Sequence, residues 1–231
     1  MDTLIQTKGI SKVFRTAEVE TRALWEVSLE VRKGDFLSVM GPSGCGKSTL
    51  LNILGLLDQP DSGMHFFLGN DVSGLSEVRR ARLRKKNIGF VFQNPNLIEE
   101  LTVSENVELP LVYLGLRPSD RAKRVDEVMD QLQLLHRRNH FPNQLSGGIQ
   151  QKVSVARAIV ARPRLILADE PTGNLDSING DAVMSLLEHL NRAGTTIIIV
   201  THSQRDAGFT HRVVRLFDGE VINEDIRIKQ P

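Results

Sequence analysis

Residues 41–48 read Gly-Pro-Ser-Gly-Cys-Gly-Lys-Ser, a glycine, four residues, then Gly-Lys-Ser. That spacing is a phosphate-cradling pattern. Gly41, Gly44 and Gly46 let the backbone close tightly so that its N–H groups point inward at an anion. Pro42, Ser43 and Cys45 complete the turn. Lys47 supplies a positive charge for the β- and γ-phosphates of a nucleotide, and Ser48 an oxygen for Mg²⁺. Thr49 follows in a helical pattern whose N-terminus adds partial positive charge. Cys45 reads as a small side chain at a permissive position; a thiol of lowered pKa at a helix N-terminus is the other reading.

A second set of residues suits hydrolysis. Leu165 to Ala168 is an apolar run ending in Asp169-Glu170. Ligands gather at strand C-termini in a parallel sheet. Asp169 is placed to support the metal, and Glu170 to orient and polarise an attacking water, a contribution of roughly 10²- to 10⁴-fold. His202 follows the β-branched run Thr195 to Val200. It is either a structural histidine or one that reaches the γ-phosphate. Gln93 closes Ile88 to Phe92 and is placed for the metal or the γ-phosphate. Ser146-Gly147-Gly148 precedes the helical run Ile149 to Ala161, a second anion-binding arrangement. A chain with one nucleotide loop has no obvious need of it, unless it serves the nucleotide held by another copy.

These residues need short strands alternating with helices. Asp35 to Met40, Asn87 to Phe92, Leu165 to Ala168 and Thr195 to Val200 read as strands. Lys47 to Leu57, Ile149 to Ala161 and Gly180 to Arg192 read as helices. The alternation predicts a mostly parallel sheet covered on both faces. Leu4 to Phe14 and Arg22 to Val31 have no helix between them and predict an antiparallel side sheet. Residues 97–139 read as a helical subdomain, with Pro118-Ser119 starting one of its helices. The division expected is a single domain over 1–231, its α/β core formed by 1–96 and 140–231.

Composition narrows the function. Of 231 residues, 40% are hydrophobic and 25% charged, enough to build a core. The formal charge is +1, from 29 basic and 28 acidic residues, so no global field draws the chain to nucleic acid. The single cysteine excludes an internal disulfide and suits a reducing compartment. No apolar run reaches the ~20 residues of a membrane span, and no signal peptide is visible. The reading is a cytosolic chain whose membrane association comes through a partner.

In order, the loop 41–48, Gln93, Leu145-Ser146-Gly147-Gly148, Asp169-Glu170, Leu175-Asp176 and His202 resemble the nucleotide-binding subunit of an ABC transporter over essentially the whole chain. The resemblance implies a P-loop NTPase fold of the ABC ATPase type, α/β, with the side sheet and helical subdomain already described. It implies ATP and Mg²⁺ as cofactors, and a head-to-tail homodimer with two ATP at its interface. Lys47 and Ser48 of one copy would face Ser146 to Gly148 of the other. Phe14, 27 residues before Gly41, falls where the family stacks an aromatic on adenine; a plain core residue is the alternative. Asp176 falls in the loop that links the two sites. Residues 51–58, 88–93 and 171–176 resemble the macrolide-export and lipoprotein-release ATPases. That subgroup implies a permease of four transmembrane helices with a large extracytoplasmic domain, at the cytoplasmic face of the inner membrane. Cell-division and peptide-resistance systems share the pattern.

Two positions depart from the family, Ile149 for its usual Gln and Lys152 for its common Arg. Ile149 leaves the phosphate-binding groups intact and removes one polar side chain from the expected interface. The apolar residues between Gln93 and Leu114 read first as the core of the helical subdomain; the resemblance also implies a groove near Gln93 that receives a cytosolic helix of the permease. Arg79, Arg80, Arg82, Arg84, Lys85 and Lys86 form a basic cluster, a solvated helix face before a contact with lipid headgroups or the permease. Two other functions compete. DNA-repair relatives carry a long coiled-coil insertion, whereas only 97 positions separate Ser48 from Leu145 here. A regulatory module that binds ATP without useful hydrolysis would not need Lys47, Asp169, Glu170 and His202 together.

Overall fold

The computed structural model describes residues 2–15 and 20–226. In chain order the elements are β1 (Thr3–Arg15), β2 (Glu20–Arg32), β3 (Phe36–Met40), α1 (Lys47–Leu54), β4 (Ser62–Phe67), β5 (Asn70–Asp71), α2 (Glu77–Asn87), β6 (Ile88–Val91), α3 (Val103–Leu114), α4 (Pro118–Gln131), α5 (Gly147–Ile159), β7 (Leu165–Asp169), α6 (Ser177–Arg192), β8 (Thr196–Thr201), α7 (Gln204–Ala207), β9 (Arg212–Phe217) and β10 (Glu220–Ile226).

The central sheet runs β10-β9-β3-β8-β7-β6. All neighbours in it are parallel except the β9–β10 pair. The side sheet, β2-β1-β4-β5, is antiparallel throughout. Register sets the functional edge. Met40 lies opposite Thr201, Asp169 opposite Val200, and Val91 opposite Ala168. Gly41, Gln93, Glu170 and His202 therefore leave the sheet at one level, at the C-terminal ends of four neighbouring strands.

The strands are apolar on both sides because both faces are covered. Leu165 and Leu167 of β7 join an apolar cluster with α1 and the side sheet. Ile166 and Ala168, one residue out of step, join a second cluster with α3, α4, α5 and α6. The period of two along a strand assigns alternate residues to opposite faces. Each fully buried Leu or Ile contributes roughly 1.5–3 kcal/mol by leaving water. Segment 97–139 holds α3 and α4, and its buried Val103, Val107 and Leu111 lie in the same cluster as the sheet residues Ile197 and Ile199.

Element ends differ from the sequence reading where local chemistry intervenes. α1 stops at Leu54 because Gly55 caps it and Leu56 turns to a φ of 59°. β9 and β10, absent from the sequence reading, form a hairpin on Asp218 (φ 46°) and Gly219 (φ 82°). An Asp-Gly pair with both φ positive is a favoured two-residue hairpin turn, so the signal was present in the chain.

Candidate functional site

The loop 41–48 joins the end of β3 to the start of α1. Its tightness depends on Gly46, whose φ is 99° and where a Cβ would lie 2.2 Å from the Ala23 carbonyl oxygen. No other residue fits without moving β2. Lys47 is buried, and its ammonium donates to the carbonyls of Gly41 (2.9 Å) and Pro42 (2.7 Å). The charge is thereby held over the loop it serves. The Cys45 side chain is 3% exposed and packs in the first apolar cluster, as a small filler should.

A cavity of about 630 Å³ opens over this loop. Ser43, Gly44, Gly46 to Thr49, Phe14, Glu170 and His202 line it. Phe14 is 46% exposed, with the Lys12 ammonium 5.6 Å from its ring centre. It is therefore a wall of the cavity and not a core residue. Gly41 and Pro42 lie instead beside a neighbouring cleft with Met40 and Arg215.

At the floor, the Ser48 hydroxyl is 3.4 Å from Asp169 Oδ1. Burial pushes the Asp169 carboxyl up, against the opposing pull of the Ser48 hydrogen bond. Glu170 follows with a φ of 45°, its N–H donating to the Val200 carbonyl at 2.9 Å. Its Oε2 lies 2.9 Å from His202 Nδ1. The histidine is thus oriented by the acid, and both face the cavity above Lys47.

Gln93 does not line this cavity. Its Nε2 donates to Asn174 Oδ1 at 3.2 Å, and Asn174 in turn donates to Asn94 at 2.6 Å. The strand end carrying Gln93 is thus tied to the turn that follows Glu170. Ser146, Gly147 and Gly148 are also outside the cavity lining. Ser146 is the N-cap residue of α5, yet its side chain makes no capping bond. Gly148 packs on Asn179, where a Cβ would lie 2.4 Å from Oδ1. Asn179 is fixed by Asp176, which caps α6 by accepting from its N–H at 2.9 Å. These hydrogen bonds hold the Asp176 carboxyl below its usual range. Ile149 is half-buried against the second apolar cluster.

One group went unread in the sequence. Asp206 is 4% exposed and accepts from Thr172 Oγ1 (2.6 Å) and Thr201 Oγ1 (3.3 Å). It joins the turn after Glu170 to the end of β8, just before His202. Its partner Thr172 is 34 positions away, so no local motif announces it.

A family model described as ABC transporter matches residues 24–173. This chain belongs to the ABC transporter family. An ABC transporter ATP-binding protein of Methanocaldococcus jannaschii, MJ1508, is 48% identical over 219 residues, covering 95% of this chain and 98% of that protein. The macrolide export ATP-binding/permease protein MacB of Azoarcus sp. strain BH72 is 47% identical over 219 residues, but this chain spans only 33% of its length. A dimeric structure of the ATP-binding cassette MJ0796, in a post-hydrolysis state with ADP and Pi, superimposes with a TM-score of 0.90 at 42% identity, covering 98% of this chain and all of that one. The chain is an ABC ATPase with the α/β cassette fold, and it binds and hydrolyses ATP. Among the described residues, no helix of this ABC cassette is long and apolar enough to cross a membrane.

Proposed function

We propose that this ABC ATPase drives a membrane permease, with ATP closing two copies head to tail and hydrolysis reopening them. The observation that carries the reading is the division of phosphate-binding groups within one chain. Ser43, Gly44 and Gly46 to Ser48 of the loop, Glu170 and His202 line one cavity, with Asp169 reached through Ser48, while Ser146 to Gly148 lie outside its lining. A second copy related by a two-fold axis would bring its Ser146 to Gly148 to the open side of that cavity. The dimeric structure of the MJ0796 cassette supports the pairing of two copies.

Within the closed site, the loop N–H groups and Lys47 would hold the ATP phosphates, and Phe14 would stack on the adenine. Mg²⁺ suits a site of few protein oxygens completed by phosphates and water. Ser48 and Asp169 offer that pair 3.4 Å apart, with no cluster of three or more ligating side chains among the described residues. The ion would neutralise phosphate charge. Glu170 would orient the attacking water, and His202, held by Glu170, would reach the γ-phosphate. Gln93, tied to Asn174, would report the state of that phosphate to the rim of the helical segment 97–139.

Next to Gln93, an apolar groove between α2, α3 and α5 would receive a cytosolic helix of the permease. The resemblance to MacB favours a permease of four transmembrane helices with a large extracytoplasmic domain, at the cytoplasmic face of the inner membrane, working in export, lipoprotein release or mechanotransmission. The test is recovery of a tagged Glu170→Gln chain, held in ATP and Mg²⁺, from detergent-solubilised native membranes. A stoichiometric integral membrane protein is expected. Soluble proteins or nucleic acid alone would exclude the transporter reading.

A further inference from the structure

The groove beside Gln93 encloses about 610 Å³. Phe90, Phe92, Leu109 and Tyr113 give it apolar walls. Its charged lining residues are Lys85 and Arg157, both cations. Neither has a carboxylate partner among the described residues. The Lys85 ammonium donates to the Tyr113 carbonyl at 3.1 Å. The Arg157 guanidinium donates to the carbonyls of Asn96 (2.7 Å) and Pro95 (2.6 Å). Burial pulls the Arg157 pKa down, as it does for a cation that loses water without gaining a counter-charge.

The flank of the groove reinforces this field. α2 carries six cations and one acid across 11 residues. That acid, Glu77, is taken by Arg80 and Arg84. Arg79, Arg82 and Lys86 are exposed, without an ion-pair partner among the described residues. Six cations against one acid leave α2 at +5, so the rest of a chain of net +1 sums to −4. The helix that lends Lys85 to the groove thus carries the excess positive charge of the chain.

A helix seated on those walls strips water from Lys85 and Arg157. Desolvating a cation without a partner is strongly unfavourable, whereas a carboxylate at hydrogen-bond distance offsets the loss. A wholly apolar helix leaves both cations with carbonyl hydrogen bonds but no counter-charge, and a basic one adds repulsion. We infer that the groove selects a partner helix with an apolar face flanked by carboxylates, which Lys85 and Arg157 engage. The inference deepens the permease-docking reading and rests on it.

Two synthetic helical peptides test it. They share one apolar face, and one carries Glu and the other Lys at the flanking positions. Fluorescence anisotropy of each labelled peptide is followed as the full chain is added. The Glu peptide should bind at least about tenfold tighter, with the advantage shrinking as salt rises. Lys85→Glu, and separately Arg82→Glu, should reduce the preference while basal ATPase is unchanged. Equal affinity for both peptides would overturn the charge selection and leave helix docking standing. Binding of neither would overturn docking itself. Displacement of the Glu peptide by phosphatidylglycerol vesicles, but not by phosphatidylcholine vesicles, would assign the cations to lipid and also overturn the inference.

Discussion

Glu170 is held in a backbone conformation that an L-residue adopts at a cost of roughly 1–2 kcal/mol, with a φ of 45°. Such local strain persists where surrounding bonds over-determine it. Here the N–H extends the β7–β8 ladder to Val200, and the carboxylate meets His202. The acid is thus fixed over the cavity, not left to swing on a loop. Glu170→Gln keeps the shape and an oxygen for His202 but loses the base. Steady-state turnover should fall roughly 10²- to 10⁴-fold, while binding of a fluorescent ATP analogue stays within about threefold. Unchanged turnover would move the water-activating role elsewhere. The placing of the 41–48 loop and of Asp169-Glu170 at strand ends was legible because each set is contiguous and follows an apolar run. Asp206 was not, because its hydrogen bonds to Thr172 and Thr201 join segments that only the fold brings together.

Strand ends do the positioning, and they were legible where a strand is buried on both faces. Thr196–Thr201 is entirely buried, and its β-branched run declares it. β4, Ser-Gly-Met-His-Phe-Phe, declares nothing: its first three residues are exposed, and its pairing with β1 makes it a strand. That strand carries a testable consequence. His65 is 2% exposed, its Nε2 has no hydrogen-bond partner, and burial lowers its pKa to about 4. Below pH 6.5 the unfolded chain takes up a proton that the fold refuses. Stability is therefore full above pH 6.5, declines as pH falls, and reaches a total loss of about 3 kcal/mol below pH 4. Urea unfolding should show about 2 kcal/mol of that loss between pH 7 and pH 5. His65→Leu should flatten this interval. The carboxylates Glu77 and Glu105, held below the ordinary 4.5 by hydrogen bonds from Arg84 and Thr102, lose their contribution only at lower pH. An equal slope in the variant would place the titrating group elsewhere.

At the scale of the molecule, the proposed function distributes the parts of one catalytic site over two places in the chain. The edge of the central sheet gathers the phosphate loop, the Ser48 and Asp169 oxygens proposed for the metal, and the Glu170–His202 pair. The start of α5 presents Ser146 to Gly148, backed by Asn179 and Asp176. The order of motifs made the family legible, since each element is ambiguous alone and the sequence of them is not. The groove's charge was harder to read. In sequence the basic cluster on α2 reads as a solvated helix face; only the fold brings Lys85 and Arg157, from different elements, to one apolar cavity. The central claim is that two copies complete each other's sites. Sedimentation equilibrium of Glu170→Gln, in ATP and Mg²⁺ and then in ADP, tests it most directly. The account predicts a species of twice the 25.8 kDa chain mass with ATP and the single chain with ADP. A single 25.8 kDa chain in both nucleotides would contradict it.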